Sequence, residues 1–237
     1  MNIFTFIYNS FLKFFGDIKV FKFPFFILYD PGSYKVKGAE VRKVLDSVKA
    51  GDILIRGYTN YLDGLFIPGF FSHAGLYLGD TTNSQLFMAD VIANKFYTGK
   101  QAVIHSMAEG VFMEDLISFC KCDFLIILRR NQTIEPQVDI DSSQKIVFEK
   151  AVKNLGKAYD FKFDFSNIGN LSCTELVFNC CDTIFPLYDV KLKPRWIMLR
   201  KRNVLIPDDF VTNKFDVVFK SASIQQKRLD KIFLKNA

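Results

Sequence analysis

Asn170-Leu171-Ser172-Cys173-Thr174-Glu175-Leu176-Val177 is the stretch on which the reading of this chain turns. A turn of small and polar residues leads into a cysteine. Leu176, Val177, Cys180, Cys181, Ile184 and Phe185 then recur at three- and four-residue spacing, which makes one apolar face of a helix. Asn170 and Ser172 are both good N-cap residues for that helix. With either cap, Cys173 falls in or beside the first turn, against unpaired backbone N–H groups and the positive end of the helix dipole. That setting lowers a thiol pKa and makes a nucleophile. The plain alternative is a buried structural cysteine. The only two histidines, His73 and His105, weigh against it. Both fall in predicted strands ahead of the helix, beside the small residues Ser72, Ala74 and Ser106, and a small neighbour lets a substrate approach the ring. A cysteine hydrolase needs a thiolate, an imidazole within hydrogen-bond reach and a polar group to orient the imidazole.

Working outward, 237 residues with 49% apolar content suffice for one large domain with appendages. The net charge of +6 is spread along the chain except for Lys191, Lys193, Arg195, Arg200, Lys201 and Arg202, which read as a solvated basic loop; no nucleic-acid partner is expected. Five cysteines, an odd number with two close pairs, do not suggest a disulfide framework, so reducing surroundings are expected. Cys120-Lys121-Cys122 and Cys180-Cys181 lack zinc-site spacing, so neither a metal nor a cofactor is expected. Residues 1–28 form an aromatic arm interrupted by Lys13, Asp17, Lys19 and Lys22. No uncharged apolar window there is long enough to span a membrane, and no cleavable signal peptide is evident. The arm is expected to pack on its own domain or a second subunit, or to lie on a membrane surface with phenylalanines inward and lysines at the rim. A cytoplasmic location, with peripheral membrane contact through residues 1–28, is the expectation; the oligomeric state is left open. The domain proper is assigned to residues 29–224, and residues 225–237 form a charged tail.

The remaining elements are short. The pattern predicts a helix over Ala39–Val48, then strands at Ile53–Arg56, Phe71–Asp80, Gln85–Ile92, Gln101–Ser106, Gly110–Phe112 and Asp123–Arg129, with a short helix over Glu114–Phe119. A long connection, Gly57 to Phe70, has a length often given to function. No long helix separates the strands, so the sheet should be largely antiparallel. A linker-like run, Asn131 to Asp141, precedes a helix marked by Ile146, Phe148, Val152 and Leu155. Tyr159–Phe165 alternates and reads as a strand or extended edge, and Pro194–Arg202 as irregular and basic. Pro207-Asp208-Asp209-Phe210 looks like a helix start, and Phe215–Phe219 like a last strand.

Four segments together resemble a known family: Gly51-Asp52-Ile53-Leu54, Ser72-His73-Ala74-Gly75-Leu76-Tyr77-Leu78-Gly79-Asp80, Tyr159-Asp160-Phe161 and Ser172-Cys173-Thr174-Glu175-Leu176-Val177. They are similar to the circularly permuted papain-like amidases, the YaeF/YiiX-like branch of the NlpC-type cysteine peptidase superfamily; Ile206-Pro207-Asp208-Asp209-Phe210 looks like that branch's tail. The histidine string precedes the cysteine by about 100 residues, the reverse of the unpermuted order. The resemblance implies an α+β fold, an antiparallel sheet packed on helices, with Cys173 at a helix start as nucleophile and His73 as general base. It places His105 in the orienting position, where the branch often has Glu. A neutral histidine there orients more weakly than a carboxylate. Tyr159, Ser72 and Ser172 are candidates for substrate contact. Glu175 is assigned to first-turn electrostatics.

Three functions fit this reading. The first is an amidase or peptidase acting on a small amide or peptide, such as a cell-wall fragment. The second is a lipid acyltransferase or thioesterase resembling the lecithin–retinol acyltransferase group, which shares the His-first order. The third is a binding protein that keeps the fold without catalysis. A channel lined by Asp, Asn and Tyr would favour peptides; one lined by Phe and Leu would favour acyl chains.

Overall fold

Ile53-Leu54-Ile55 and Leu125-Ile126-Ile127-Leu128 are apolar at consecutive positions, so strands built from them must be covered on both faces. The computed structural model, which describes residues 7, 19–20, 27–28, 34–59, 67–82, 97–131, 133–134, 140–197 and 200–236, places them inside a six-stranded sheet. A small pair comes first, β1 (Lys19–Val20) with β2 (Ile27–Leu28). Helix α1 (Gly38–Ser47) follows. The main sheet contains β3 (Ile53–Gly57), β4 (His73–Gly79), β5 (Ala102–Met107), β6 (Gly110–Asp115), β7 (Phe124–Arg129) and β10 (Asp216–Lys220). Their spatial order is β10-β7-β3-β4-β5-β6, and every neighbouring pair is antiparallel.

The two faces are packed differently. On one, Ile53, Ile55, Ala74, Leu76, Ile104, Ile126 and Leu128 meet Val147 and Ala151 of α3 (Ile140–Lys153) and Leu176, Val177 and Cys180 of α4 (Cys173–Cys181). On the other, Leu54, Tyr77, Val103, Leu125 and Ile127 meet Val44 of α1 and Leu116 and Phe119 of the single-turn α2 (Leu116–Phe119). Each fully buried Leu or Ile in these layers contributes about 1.5–3 kcal/mol. The fold is α+β with a largely antiparallel sheet, as the pattern predicts.

Some elements differ from the sequence reading. Glu114 and Asp115 continue β6, and helix α2 begins only after them because Asp115 caps it, accepting the Ile117 N–H at 2.8 Å. Tyr159–Phe165 is not a strand: the Asp160 carboxylate takes the N–H groups of Lys162 (2.8 Å) and Asp164 (2.6 Å), curling the segment, and Phe163 has φ of 52°. The basic run is a hairpin, β8 (Lys193–Ile197) against β9 (Arg200–Val204). Its Arg195 forks onto buried Asp209 with two 2.6 Å bonds, so one of its charges serves as an internal anchor. Pro207–Phe210 is a single 3-10 turn, and Gln226–Asn236 forms helix α5 with Leu229 and Ile232 buried. The strand expected at Gln85–Ile92, most of the aromatic arm and parts of the 57–70 and 131–141 connections lie outside the described residues. Among the described residues no helix is long and apolar enough to cross a membrane.

Candidate active site

Ser172 is the residue that caps α4. Its Oγ accepts the Glu175 N–H at 3.4 Å, and Glu175 Oε2 accepts the Ser172 N–H at 2.6 Å, a reciprocal capping box. Cys173 is therefore the first helical residue. The turn before it is tied to the sheet: Ser106 Oγ, next to His105, donates to the Leu171 carbonyl at 2.5 Å. Behind it, Thr174 Oγ1 donates to the Leu205 carbonyl at 3.0 Å. The thiol is 1% exposed and accepts the backbone N–H groups of Ala74 and Thr174. Burial pushes it up to about 11, against the lowering effect of those two N–H donors.

His73 opens β4 and His105 lies in β5, diagonally across from it, because Gly75 is the residue paired with His105. The two rings meet edge to face, with His73 Nε2 and His105 Nδ1 2.9 Å apart. Both are buried beside the Phe119 ring. Burial, then the nearby Arg56 guanidinium, holds both imidazoles well below their usual range, and His105 adds to the effect on His73. Both rings are accordingly neutral near pH 7.

The structure brings the two histidines into contact and delivers Cys173 to the backbone of β4. Ala74 and Leu76 face α4, whereas His73 and His105 stand over Phe119 on the α2 side. The His73–Ala74 peptide is common to both: its N–H holds the sulfur, and its histidine carries the ring. Among the described residues no hydrogen bond joins the thiol to either imidazole. Ser72, beside His73, has a buried Oγ with no hydrogen-bond partner among the described residues. Ser172 serves as the cap, and Tyr159 lies among aromatic side chains, 4.8 Å from the Phe161 ring centroid.

Two residues that the sequence reading missed stand behind the histidines. Glu114 Oε1 lies 3.2 Å from His105 Nε2, off the line of an N–H bond, and 3.3 Å from Arg56 Nη1. Arg56 is 4% exposed, donates to the Phe119 carbonyl at 3.0 Å and covers the Phe119 ring at 4.2 Å. The signal available was alternation over residues 110–115, which puts Glu114 on the same side of β6 as Phe112, the partner of His105.

A cleft of about 10 Å³ opens beside the thiol, room for roughly one water. Ile67, Phe163, Ile197, Leu205, Ile206 and Pro207 line it with Cys173 and Thr174, so its walls are almost wholly apolar.

Comparisons with known proteins bear on the fold and the family. No curated protein matches the chain. Among solved structures, the metalloprotein YiiX from Escherichia coli O157:H7 superposes with a TM-score of 0.52 at 16% identity, over 74% of this chain and 98% of that one. At that identity the likeness is one of fold. That protein is described as a metalloprotein; here, among the described residues, no group of three or more His, Cys, Asp or Glu side chains is placed to hold a metal ion. A family model for permuted papain-like amidase enzymes matches residues 47–213. The chain belongs to that family, the YaeF/YiiX permuted papain-like amidases designated C92.

Proposed function

We propose that this chain is a cysteine-dependent amide hydrolase working through Cys173, His73 and His105. The observations that support the reading are the 2.9 Å contact between His73 Nε2 and His105 Nδ1 and the thiol at a capped helix start, which meets the N–H of the residue after His73. No contact joins the sulfur to either ring among the described residues, so the reaction requires His73 Nδ1 to come within reach of the sulfur. With Nε2 of His73 engaged by His105, Nδ1 is the ring nitrogen left for the thiol. Sulfur attacks the acyl carbon as its proton passes to Nδ1. The C–N bond then breaks, and the same proton goes to the departing amine. Water adds to the thioester, giving a proton to His73; the C–S bond breaks, and the thiol recovers that proton as the acid leaves. The Cys173 backbone N–H, at the helix start, supports the developing oxyanion. At rest both the thiol and the imidazole are neutral, so proton transfer accompanies attack.

The substrate is a small amide or peptide, with Ser72 Oγ as a polar contact beside His73. The apolar cleft walls favour an apolar group on the acyl side, which also supports a second reading: transfer or hydrolysis of a fatty acyl thioester or ester at a membrane surface. Flotation on liposomes with and without residues 1–28 tests the membrane part; equal flotation removes it. For the chemistry, the full chain is incubated with p-nitroanilides and p-nitrophenyl esters carrying acetyl, octanoyl or aspartyl groups, and intact mass is read during turnover. The reading expects an acyl adduct mapping to Cys173, strongest with apolar acyl groups and absent in Cys173→Ser. No adduct and no release with any of them would leave the fold as a binding module.

A further inference from the structure

Glu114 is not part of the reaction proposed above, yet it is the acidic group nearest the far end of the imidazole pair, and it comes from a different strand. Its position follows from register. Glu114 pairs with Val103, two residues from His105 on the same face of β5, so its longer side chain reaches diagonally to His105. Arg56 approaches from β3, opposite His73 in the register, and closes the group from the other side.

The histidine contact has two tautomeric solutions. In one, His73 Nε2 carries the proton and donates to His105 Nδ1, leaving His73 Nδ1 as a base. In the other, His105 Nδ1 carries it and donates to His73 Nε2. His73 Nδ1 is then protonated and useless toward a thiol. What stands at His105 Nε2 separates them. In the first solution that nitrogen bears a hydrogen; in the second it bears a lone pair. A carboxylate oxygen at 3.2 Å attracts the hydrogen and repels the lone pair, even off the N–H line. Burial raises the Glu114 carboxyl above its usual range, and the arginine, the next influence in size, opposes that rise and favours the acceptor form.

We propose that Glu114 is a positioning residue: standing at His105 Nε2 and held by Arg56, it selects the tautomer pair in which His73 presents an unprotonated Nδ1. The proposal gives the site the carboxylate that its histidine in the orienting place lacks, supplied one ring further out. Its functional weight rests on the hydrolase reading, but its physical content does not.

The test reads protonation directly. Long-range 15N–1H spectra of the imidazoles are recorded at pH 7.5 on wild type, Glu114→Gln and the double variant Arg56→Met/Glu114→Leu. The double variant removes both charges together, which avoids stranding one of them in the interior. Wild type is expected to show proton-bearing Nε2 and bare Nδ1 in both rings. Glu114→Gln, whose amide oxygen still accepts, is expected to keep that pattern. The double variant is expected to mix the two tautomers and to slow alkylation of Cys173 in proportion to the active tautomer lost, about twofold for an even mixture. An unchanged pattern in a folded double variant, or wild-type Nε2 atoms without protons, overturns the proposal. The two readings separate cleanly. A tautomer shift with an unreactive wild-type Cys173 leaves Glu114 in its role and removes the hydrolase; a reactive Cys173 with no tautomer shift does the reverse.

Discussion

Replacing Glu175 by Gln should flatten a pH dependence that the wild type carries in its fold. Glu175 is 3% exposed, and its Oε2 accepts the Ser172 N–H at 2.6 Å. Burial raises its carboxyl to about 8 from an ordinary 4.5; the contacts with Ser172 lower it, and neighbouring Asp160 adds to the rise. The folded chain therefore keeps a proton that the unfolded chain has released above 4.5. That contribution to stability is complete below the unfolded value and is lost as pH climbs toward the folded one. Each unit in that window costs somewhat over ~1 kcal/mol, so moving from pH 5 to pH 7 costs on the order of 2–3 kcal/mol through this group. A glutamine imitates the protonated acid: its oxygen serves the Ser172 N–H, and its NH2 faces Asp160. The difference in melting temperature between wild type and Glu175→Gln should therefore change by about 5–10 °C between pH 5 and pH 7, in favour of the variant at the higher pH. Taking the difference cancels groups common to both proteins, the two buried histidines above all. Thermal unfolding followed by circular dichroism at both pH values measures it. Two melting curves that move in parallel would refute the protonated Glu175.

The histidines act with the opposite sign. Their folded values are lowered, so the stability they confer is present above 6.5 and drains away as pH falls below it. In the Glu175→Gln background the urea midpoint should be lower at pH 5 than at pH 7, and a flat midpoint would contradict two neutral buried rings. Asp208 accepts the Phe70 N–H at 2.9 Å and the Phe71 N–H at 2.8 Å, pinning the chain just before His73. Asp208→Ala should cost about 2–4 kcal/mol and Asp208→Asn roughly half of that, and an alanine variant that melts with the wild type would remove the pin. Gly75 is paired with His105, and a Cβ there would sit 2.9 Å from Phe119 Cε2 and 3.2 Å from His105 Cβ. Gly75→Ala should cost about 1–3 kcal/mol and slow Cys173 alkylation by disturbing the histidine contact; unchanged melting and alkylation would show that the ring pocket has slack.

Where one period dominated, the sequence was legible. The helix from Cys173 and the strands at Ile53 and Phe124 follow from spacing and apolar runs alone, and so does the antiparallel arrangement, which needs only short connections. The hairpin of residues 193–204 was hidden because its strands carry charges, one of which, Arg195, is spent on a buried aspartate 14 residues on, just beyond the hairpin. Tyr159–Phe165 misled because Asp160 bends an alternating sequence into a turn. Arg56 and Glu114 were hard to see for a related reason: alternation gives Glu114 a side of its strand, but only register brings its counter-charge alongside and shows the pair to be internal. His73, His105 and Cys173 could be chosen as candidates from the sequence, but the tautomer logic proposed for the histidines could not, since it depends on which nitrogen meets which.

The alkylation rate of Cys173 by iodoacetamide in the folded protein, with and without His73→Ala, tests the central claim most directly. The other four cysteines are buried with thiols pushed up by desolvation, to about 12 for Cys120 and Cys180, and serve as internal standards. The account predicts that Cys173 reacts faster than all four and that His73→Ala slows it about tenfold or more. A Cys173 that reacts no faster than Cys120 or Cys180, at a rate indifferent to His73→Ala, would contradict it.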